Sequence, residues 1–545
     1  MARLTGGQAV VESLLAQGVD TVFGVISIHT LHIFDALYHQ QGRIRVIGGR
    51  HEHAVASMAD GYARVTGRPG VLLTSTGPGA ADSVGGMGEA YHSSTPLLQI
   101  TTNVEKEFVN SRRGVTHEPK DQLEMFRSVT GWCALVDSVE SIGDHIEEAF
   151  QRFHTRHPRP IELEVPTDLL EQQAEVEVMP PRSALSPSAD PAQVERAVQK
   201  LRSAKRPVIW AANGVMMSGA TPELVRLAEA LDCPVVTGDG GKGAFPEDHP
   251  LSLGTALGRR IWGDNPVQEF VGTCDLCLVV GSSLPYRTTV GVGLRMPQEL
   301  VHIDIDPEMF GRNYPTSVGL AGDAKAVLGQ LLQALGGQRV QRSSVWQREM
   351  EELKKRTSQG LKEQYPNQLR VWEGIRSVLP RDAVMVVDPT VPAQTLVRCF
   401  PMYEPNSWVT PHGWVGIGFA FPASLGAKVG SPQRTVVCIT GDGGFQYNMQ
   451  ELGTAVQYGI APVVLIFNDN AWGVLNKRQQ DLFQGRVMAT ELTNPDFVRL
   501  AEAYGVEAVS VSDLDGLLRE LERAVKSDRI QLIEVRTPKG FAHFR

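Results

Sequence analysis

The chain has 545 residues, which is too long for one hydrophobic core and predicts about three domains. Apolar residues make up 42% of the chain and charged residues 21%, a balance typical of globular rather than disordered proteins. The formal net charge of −9, without a run of basic residues, argues against nucleic acid as a partner, and the lack of an apolar stretch of about eighteen residues argues against a membrane span.

The chain start and the cysteines predict a cytoplasmic protein. The first residues, Met1–Gly7, do not form a secretion signal. One Cys-x-x-Cys pair, Cys274 and Cys277, has no second pair to complete a zinc site. We therefore expect free, buried thiols in a reducing compartment. The six cysteines are Cys133, Cys233, Cys274, Cys277, Cys399 and Cys438.

Two seams divide the chain. The first, 179–191, is rich in Pro and Ser, and the second, 336–342, is charged and polar. They predict domains at 1–180, 190–340 and 355–545. Because each piece alternates strand-like and helical patterns, we predict an α/β protein with three domains, each a mainly parallel sheet flanked by helices. The first and third pieces read as two versions of one plan.

The first piece begins with a helix predicted over about Gln8–Gln17 and a strand over Thr21–Val25. The loop after that strand carries His29 and His32. A histidine in such a loop can move protons near neutral pH. We interpret His32 as a structural histidine, whereas His29 stays open between a structural role and proton transfer.

Further along, Glu52 stands just before a helix predicted over Ala54–Val65. The strand Val71–Thr74 and the turn Thr76–Gly79 follow, and later the polar run His117–Gln122. A glutamate at this point can be a helix cap or dipole partner, or a catalytic acid.

The central piece contains strands predicted over Val208–Trp210, Cys277–Gly281 and Val301–Asp306. Asp304 and Asp306 close the last strand, where a carboxylate can meet the ribose of a nucleotide. The alternative is an ordinary helix cap.

The third piece carries the most specific motif. The strand Val436–Ile439 leads to Gly441–Gly443, and after a helical pattern the strand Val463–Phe467 leads to Asn468–Asn470. This is a β-α-β unit with a right-handed crossover, so both motifs lie at the ligand-binding ends of parallel strands. Glycines let the backbone approach phosphate oxygens. Carboxylate, amide and carbonyl oxygens suit Mg²⁺ or Ca²⁺ completed by diphosphate oxygens.

The motif resembles that of the thiamine-diphosphate (ThDP) family containing acetolactate synthase, pyruvate decarboxylase, benzaldehyde lyase and oxalyl-CoA decarboxylase. The usual family pattern ends in Asn-Asn, whereas Asp469 stands second here. The resemblance implies ThDP and Mg²⁺ as cofactors, with Asp442, Asp469 and the backbone carbonyl of Ala471 as metal ligands. It also places Pro78, Gly441, Gly443, Gly444, Ala471 and Trp472 around the cofactor.

The resemblance extends to the first piece and to the run His412–Phe419. Glu52 occupies the place of the family glutamate that activates the aminopyrimidine, which requires a raised carboxyl pKa. Ile417 fits the residue that wedges between the cofactor rings, and the Val415 carbonyl would accept a hydrogen bond from the 4′-amino group. Since the family builds each site from two chains, we expect a homodimer or homotetramer.

In the central domain some family members hold FAD, some ADP and some nothing. Gly281–Thr288 lacks the acidic pair that acetolactate synthases carry at this place. We therefore favour ADP slightly over FAD, with Asp304 and Asp306 as candidate contacts.

Around the reacting carbon, His29 matches a histidine of benzaldehyde lyase, and His117 matches its active-site glutamine. The resemblance makes both, together with the following Glu118 and Gln122, candidate catalytic residues. Leu475 stands where pyruvate decarboxylase has a catalytic glutamate. Arg478 replaces the specificity tryptophan of acetolactate synthase and could meet an anionic substrate. Glu491 is a candidate second acid on a closing segment.

Four functions remain open. The favoured one is a C–C lyase or carboligase, specifically a 2-hydroxyacyl-CoA lyase. The alternatives are an acetolactate-synthase-type carboligase, a 2-oxo acid decarboxylase, and a non-catalytic ThDP-binding subunit. In some relatives the C-terminal tail closes over the site. In this chain the tail is Pro538–Arg545, and we expect its deletion to impair turnover more than cofactor binding.

Overall fold

Three parallel sheets make up the protein. The computed structural model describes residues 2–181, 186–256 and 265–539. Each sheet has six strands, and every strand pair within the three sheets is parallel. The predicted α/β class with three helix-flanked parallel-sheet domains is confirmed. The domain boundaries themselves stay predictions.

The first sheet has the strand order β3-β2-β4-β5-β7-β6, and a short antiparallel ribbon of β1 and β8 lies beside it. Its strands are β1 (Ala2–Thr5), β2 (Thr21–Gly24), β3 (Arg45–Gly48), β4 (Gly70–Thr74), β5 (Leu97–Asn103), β6 (Trp132–Leu135), β7 (Ile161–Pro166) and β8 (Gln173–Val176). Its helices are α1 (Gly6–Ala16), α2 (Leu31–Tyr38), α3 (Glu52–Thr66), α4 (Pro78–Ser93), α5 (Gln122–Arg127), α6 (Ile142–Thr155) and α7 (Thr167–Glu171), with 3₁₀ turns at Ile28–Thr30 and Lys106–Phe108.

The central sheet has the order β11-β10-β9-β12-β13-β14, which is the doubly wound order of nucleotide-binding folds. Its strands are β9 (Pro207–Ala211), β10 (Val235–Thr237), β11 (Ser252–Thr255), β12 (Leu276–Val280), β13 (Glu299–Asp304) and β14 (Val318–Ala321). Its helices are α8 (Pro191–Ser203), α9 (Asn213–Met217), α10 (Thr221–Leu231), α11 (Pro266–Val271), α12 (Ala324–Leu335) and the long α13 (Ser344–Gln364). The 3₁₀ turns are Asp239–Gly241, Tyr286–Thr288, Val290–Val292 and Pro307–Met309.

The third sheet has the order β16-β15-β17-β18-β20-β19. Its strands are β15 (Val384–Val387), β16 (Trp408–Val409), β17 (Val436–Gly441), β18 (Val463–Asn468), β19 (Glu507–Val511) and β20 (Gln531–Arg536). Its helices are α14 (Pro366–Val378), α15 (Val391–Cys399), α16 (Ala420–Gly430), α17 (Asp442–Asn448), α18 (Leu452–Tyr458), α19 (Gly473–Leu482), α20 (Phe497–Ala503) and α21 (Leu514–Val525), with a 3₁₀ turn at Met449–Glu451. Numbered within their own sheets, the first and third domains share one strand order, as their sequences predict.

The first and third domains pack against each other through α3 and α16 and share one hydrophobic core. The two helices touch at glycines: a Cβ on Gly61 would collide with the Ala423 carbonyl, and a Cβ on Gly426 would collide with the Met58 carbonyl. This close approach leaves no room for larger side chains. The contact places the loop before α16 beside the first domain.

The structure differs from the predicted helices at two places. The first helix begins at Gly6 because Thr5 and Gln8 form a capping box, in which each side chain bonds the other's backbone amide. The crossover helix expected between β17 and β18 is split into α17, a 3₁₀ turn and α18. The first of these, α17, begins at Asp442 itself.

Within residues 2–181, 186–256 and 265–539, no helix is long and apolar enough to span a membrane. The cysteines of these segments are free, and five of them are buried. Part of the first seam, 182–185, and most of the C-terminal tail, 540–545, lie outside the described residues.

Candidate active site

The predicted metal motif lies where β17 and β18 end side by side. Gly441 pairs with Phe467 in the sheet, so Asp442 meets the Asn468–Asn470 turn at one edge. Burial raises the pKa of Asp442 to about 6; the hydrogen bond from Asn494 offsets part of this rise, and the nearby Asp469 carboxylate adds to it. Two carboxyl groups held this close favour a cation between them. The donor set therefore fits a divalent metal.

Asn468 is already engaged within the protein. Its amide donates to Glu534 Oε1 at 2.7 Å, and its oxygen accepts from Asn470 N and from Asn494 Nδ2, each at 3.0 Å. The Asn468 side chain is thereby committed to these partners, and Asp469 as a metal ligand stays a prediction. Ala471 is buried directly beyond it, with its backbone in the same turn.

Glycines of the motif make room for two side chains. A Cβ on Gly443 would lie 2.5 Å from the Trp472 ring, and one on Gly444 would lie 3.0 Å from Asp388 Oδ2. Asp388 is buried at the end of β15, where its carboxylate accepts from Ala420 N at 2.8 Å and from Thr440 Oγ1 at 2.7 Å. The turn after β17 is thereby fixed from both sides.

Glu52 opens α3 at the corresponding edge of the first sheet. A Cβ on Gly79 would lie 3.2 Å from Glu52 Oε1, so the carboxyl rests against the turn Thr76–Gly79, which includes Pro78. Burial raises the pKa of Glu52 against the lowering effect of its backbone hydrogen bond, and the Asp82 carboxylate raises it further. A carboxyl of this kind can share a proton with a nitrogen base.

His29 and His117 meet beside that turn. Their ring centroids are 5.0 Å apart, and His29 Nδ1 lies 3.3 Å from Ser75 Oγ. Burial and then the neighbouring His117 lower the pKa of His29. Gly77 has φ of +61°, and a Cβ at this position would lie only 2.6 Å from the carbonyl oxygen of His117. Glycine therefore allows the turn to approach His117 closely. Two imidazoles thus lie beside the 75–79 turn, which Glu52 also contacts. His32, by contrast, bonds Glu171 at 3.1 Å.

Glu118 and Gln122 shape the loop instead of facing a substrate. Glu118 accepts hydrogen bonds from Ser111 Oγ and from the backbone amides of residues 112, 114 and 115. Desolvation acts to raise the pKa of Glu118, but these bonds lower it below its ordinary value. Buried Gln122 accepts from Gly77 N at 3.0 Å and from Thr76 Oγ1 at 3.1 Å. The geometry therefore argues against the catalytic roles predicted for these two residues and gives them positioning roles.

The loop that carries Val415 and Ile417 is hydrogen-bonded to a buried carboxylate of the first domain. Glu89, 2% exposed, accepts from His412 N at 2.6 Å through one oxygen and from Val415 N at 2.9 Å through the other. Val415 has φ of +60°, which is unusual for a β-branched residue. Ile417 remains 38% exposed at the surface of the loop. Glu89 thus fixes the backbone of Val415, whose carbonyl the family resemblance assigns to the cofactor.

The three substrate candidates lie on or near α19. Leu475 is 51% exposed and Arg478 is exposed. Glu491 pairs with Lys539, and that hydrogen bond lowers the pKa of Glu491, which makes it a poor proton donor. The predicted role of Glu491 as a second acid is therefore disfavoured by this geometry.

A cavity of about 710 Å³ opens at the switch point of the central sheet, between the segments after β9 and β12. Its size suits a cofactor or nucleotide, and its position is where doubly wound sheets bind them. Asp304 lies in the wall, whereas the Asp306 carboxylate caps a 3₁₀ turn by accepting from Glu308 N at 3.0 Å. Other wall residues are Arg159, Gly214, Gly281, Arg287, Asp323 and His412.

Sequence reasoning missed Glu89, Asp388 and Asn494. Glu89 stands in a helix rich in glycine and alanine that also contains Asp82, so the helix composition singles out neither acid. Asp388 follows a wholly apolar strand. Asn494 stands in a loop before a helix cap, and its role depends on contacts with residues 24 to 52 positions away.

Comparison with known proteins identifies the same three domains. Models of the thiamine pyrophosphate enzymes match the chain: the N-terminal TPP binding domain at residues 4–125, the central domain at 194–331 and the C-terminal TPP binding domain at 392–535. The chain is 33% identical to a probable acetolactate synthase large subunit of Methanocaldococcus jannaschii, over 98% of this chain and 92% of the relative. It is 35% identical to a probable 2-ketoarginine decarboxylase AruI of Pseudomonas aeruginosa, over 98% and 94%. It is 33% identical to the acetolactate synthase isozyme 3 large subunit of Escherichia coli, over 100% and 96%.

Proposed function

Because this chain belongs to the thiamine-diphosphate-dependent enzyme family that includes acetolactate synthase, we propose that it acts on 2-oxo acids as an acetolactate-synthase-type carboligase. It would release CO₂ from a donor acid and join the remaining acyl unit to a second carbonyl compound. The observation that carries this proposal is the likeness to acetolactate synthases, which extends from the first sheet to the last. The named relatives fit this alternative better than the 2-hydroxyacyl-CoA lyase that the sequence motifs favour.

Bound thiamine diphosphate would supply the nucleophilic carbon and accept negative charge from the substrate. Glu52, half-buried against Gly79, would hold a proton at the aminopyrimidine. The Val415 carbonyl, fixed through Glu89, would orient the amino group on the other side. His29 and His117 would exchange protons with oxygen atoms of the substrate.

The metal assignment is part of the proposal. Asp442 and Asp469 would hold Mg²⁺ together with the Ala471 carbonyl, and the cation would bind the diphosphate. The raised pKa of Asp442, about 6, reflects burial and an adjacent carboxylate that a cation would neutralise. Pro78, Gly441, Gly443, Gly444 and Trp472 would contact the cofactor.

The experiment is product analysis by NMR after mixing the protein, ThDP and Mg²⁺ with pyruvate. Acetolactate together with CO₂ supports the proposal. A Glu52→Gln variant is the control, and we expect its turnover to be at least about 100-fold lower while the cofactor stays bound. Cleavage of a 2-hydroxyacyl-CoA without CO₂ release from any 2-oxo acid would instead restore the lyase prediction. An unchanged Glu52→Gln variant would contradict the proposed chemistry.

A second candidate is simple decarboxylation of a larger 2-oxo acid. The observation in its favour is the 2-ketoarginine decarboxylase among the relatives, which is matched along nearly its whole length. The same assay with 2-ketoarginine distinguishes the two, since a decarboxylase gives an aldehyde and a carboligase gives a longer product. A protein that binds ThDP but turns over none of these substrates would be the non-catalytic subunit, a role for which Glu52 would not be needed.

For the central cavity we propose ADP in preference to FAD. Asp304 lies at the strand end in the cavity wall and Arg159 faces it from the first domain, a pairing of groups that suits ribose and phosphate. Calorimetric titration with ADP and with FAD tests this directly. A flavin that copurifies with the protein would overturn the preference.

Assembly from at least two chains, and a cytoplasmic location, complete the proposal. Exposed apolar side chains surround both candidate half-sites. Ile28 is 83% exposed near His29, and Leu482 and Met488 are 70% and 81% exposed beyond the metal motif. Such side chains favour burial against a second chain. Light scattering of the purified protein would show a dimer or tetramer, and a monomer would contradict this expectation.

A further inference from the structure

Asn494 bonds the metal motif more extensively than any residue that sequence reasoning assigned to it. Its Nδ2 has two hydrogens and lies within hydrogen-bond distance of three acceptors, Asp442 Oδ2 at 2.7 Å, Asn468 Oδ1 at 3.0 Å and Asn470 Oδ1 at 3.2 Å. Its own oxygen accepts from Gln446 Nε2 at 2.9 Å, and this bond fixes which end of the amide faces the motif. One neutral side chain thus ties the turns after β17 and β18 together.

The segment before Asn494 lies along the second of these turns. Leu492 N donates to the Asn470 carbonyl at 2.9 Å, and Trp472 N donates to the Thr490 carbonyl at 2.8 Å. Residues 470–472 and 490–492 are therefore paired through an isolated antiparallel bridge between Ala471 and Glu491. The segment is also joined to α19, because Gln479 bonds both backbone groups of Met488.

The part of this segment that precedes the pairing exposes several apolar side chains to solvent. Phe483 is 50% exposed, Val487 is 40% exposed and Met488 is 81% exposed. Every residue from 481 to 489 is exposed. We call residues 483–494, all of them described by the structure, the cover segment. Its only side chain that donates to the Asp442 carboxylate is Asn494.

We propose that Asn494 is a positioning residue of the metal centre, which orients the Asp442 carboxylate for the cation and thereby links metal binding to placement of the cover segment. This inference rests on the proposed function, since it takes Asp442 as a ligand. The amide suits the task because it donates without carrying charge. A lysine here would compete with the cation, and an aspartate would repel Asp442.

The coupling follows from the partners of Asn494. Asn494 holds Asp442 Oδ2 at 2.7 Å, and in this proposal the metal binds the other carboxylate oxygen. Residues that orient a ligand in this way typically contribute a factor of about 10 to 100 to metal affinity. A metal that fixes Asp442 and the Asp469–Ala471 turn also fixes the two anchors of the cover segment, Asn494 and the 470–472 pairing.

The experiment measures Mn²⁺ affinity by electron paramagnetic resonance, with ThDP present, for the full-length chain. Asn494→Leu, which keeps the size and removes the bonds, should weaken Mn²⁺ binding by about 10- to 100-fold. Gln446→Leu, which removes the bond that orients the Asn494 amide and the bond from Gln446 Nε2 to the Asp442 carbonyl, should weaken it in the same direction. Thr493→Ala is the matched control, because Thr493 is the exposed neighbour of Asn494 in the same segment, and it should bind like wild type.

Hydrogen exchange of peptides that cover 470–494 is the second readout. In wild type and in Thr493→Ala, Mg²⁺ with ThDP should slow exchange at Leu492 and Trp472, whose amides bond across the pairing. In Asn494→Leu this slowing should be lost at metal concentrations that saturate the variant. A role in folding alone would lower the melting temperature of the metal-free variant instead, which thermal unfolding measures.

Wild-type Mn²⁺ affinity in both Asn494→Leu and Gln446→Leu would overturn the proposal. Weakened affinity with undiminished slowing of exchange would overturn the link to the cover segment. If wild type itself binds no Mn²⁺ in the presence of ThDP, the proposed function fails first, and the two failures are distinguishable by that control.

Discussion

Glu89 is the residue on which the cofactor loop depends most directly. Its two carboxylate oxygens accept from His412 N and Val415 N, and Ser93 Oγ donates to it at 2.7 Å. Burial raises the pKa of Glu89 to about 6 in spite of the lowering effect of Arg64, whose guanidinium is 3.7 Å away. A buried acid that binds two amides of another domain determines where that loop lies.

Replacing Glu89 by alanine should therefore loosen the loop more than the fold. Two backbone amides would lose their acceptor, and each unsatisfied buried amide costs about 1–3 kcal/mol. We expect the affinity for ThDP to fall by about tenfold or more, measured by fluorescence titration at saturating Mg²⁺. Glu107→Ala, an exposed acid of the same domain, is the control. Unchanged ThDP affinity in Glu89→Ala would mean that Val415 does not contact the cofactor.

His302 makes stability depend on pH in a way that can be measured. It is 1% exposed within β13, where Nε2 lies 2.8 Å from the Ser282 carbonyl. Burial lowers the pKa of His302 to about 4 from 6.5, so the unfolded chain binds the proton more readily. Its contribution to stability is complete above pH 6.5 and is lost as the pH falls towards about 4.

His302→Gln removes this titration. The difference in melting temperature between wild type and variant should be largest near pH 7.5 and should shrink as the pH falls below 6.5. The change corresponds to about 1.4 kcal/mol per pH unit for one proton. Differential scanning calorimetry at several pH values measures it. A difference that stays constant from pH 5 to 7.5 would show that His302 is not the titrating group.

At the scale of elements, the contact of α3 with α16 holds the first and third domains together. Gly426 and Gly61 are each covered by the backbone of the other helix. Since a protein interior has no spare volume here, a side chain must push the helices apart. The loop 412–418 precedes α16, so such a shift also moves the cofactor loop.

Gly426→Val should destabilise the protein by about 1–3 kcal/mol through overpacking and should also weaken ThDP binding. Gly360→Ala is the matched control. Gly360 lies in helix α13 and has open space where a Cβ would stand, so alanine should stabilise the chain by about 0.5–1 kcal/mol. Thermal unfolding measures both variants. A fully stable Gly426→Val protein would contradict the tight packing of α3 on α16.

The secondary-structure elements also show which parts of the structure the sequence predicts and which it does not. Strands such as β17 and β18 are continuous apolar runs, and their parallel pairing places Asp442 beside Asn468–Asn470 as predicted. Contacts between distant segments carry no such local pattern. Glu89 to Val415 and Asn494 to Asp442 join residues 326 and 52 positions apart, and only packing brings them together. Glu118 shows the reverse, because a sequence motif cannot reveal that its carboxylate closes its own loop.

For the whole molecule, the shared strand order of the first and third sheets has a functional consequence. In each sheet the switch point lies between the second and third strands of its order, and the candidate residues lie there: His29 and the 76–79 turn in one, Asp388 and Asp442 in the other. The domains pack within one chain through α3 and α16. In the proposed two-chain assembly, each complete site combines Glu52 of one chain with Asp442 of a second.

That arrangement predicts complementation between inactive variants. Glu52→Gln and Asp442→Asn should each abolish turnover alone, because each lacks one half of every site. When the two chains are coexpressed and purified together through different tags, each mixed dimer has one intact site out of two, so it should regain about half of wild-type activity. Turnover of the 2-oxo acid substrate measures it. Absence of any recovery in verified mixed dimers would place Glu52 and Asp442 in the same chain's site, and the α3–α16 contact would then have to bring them together.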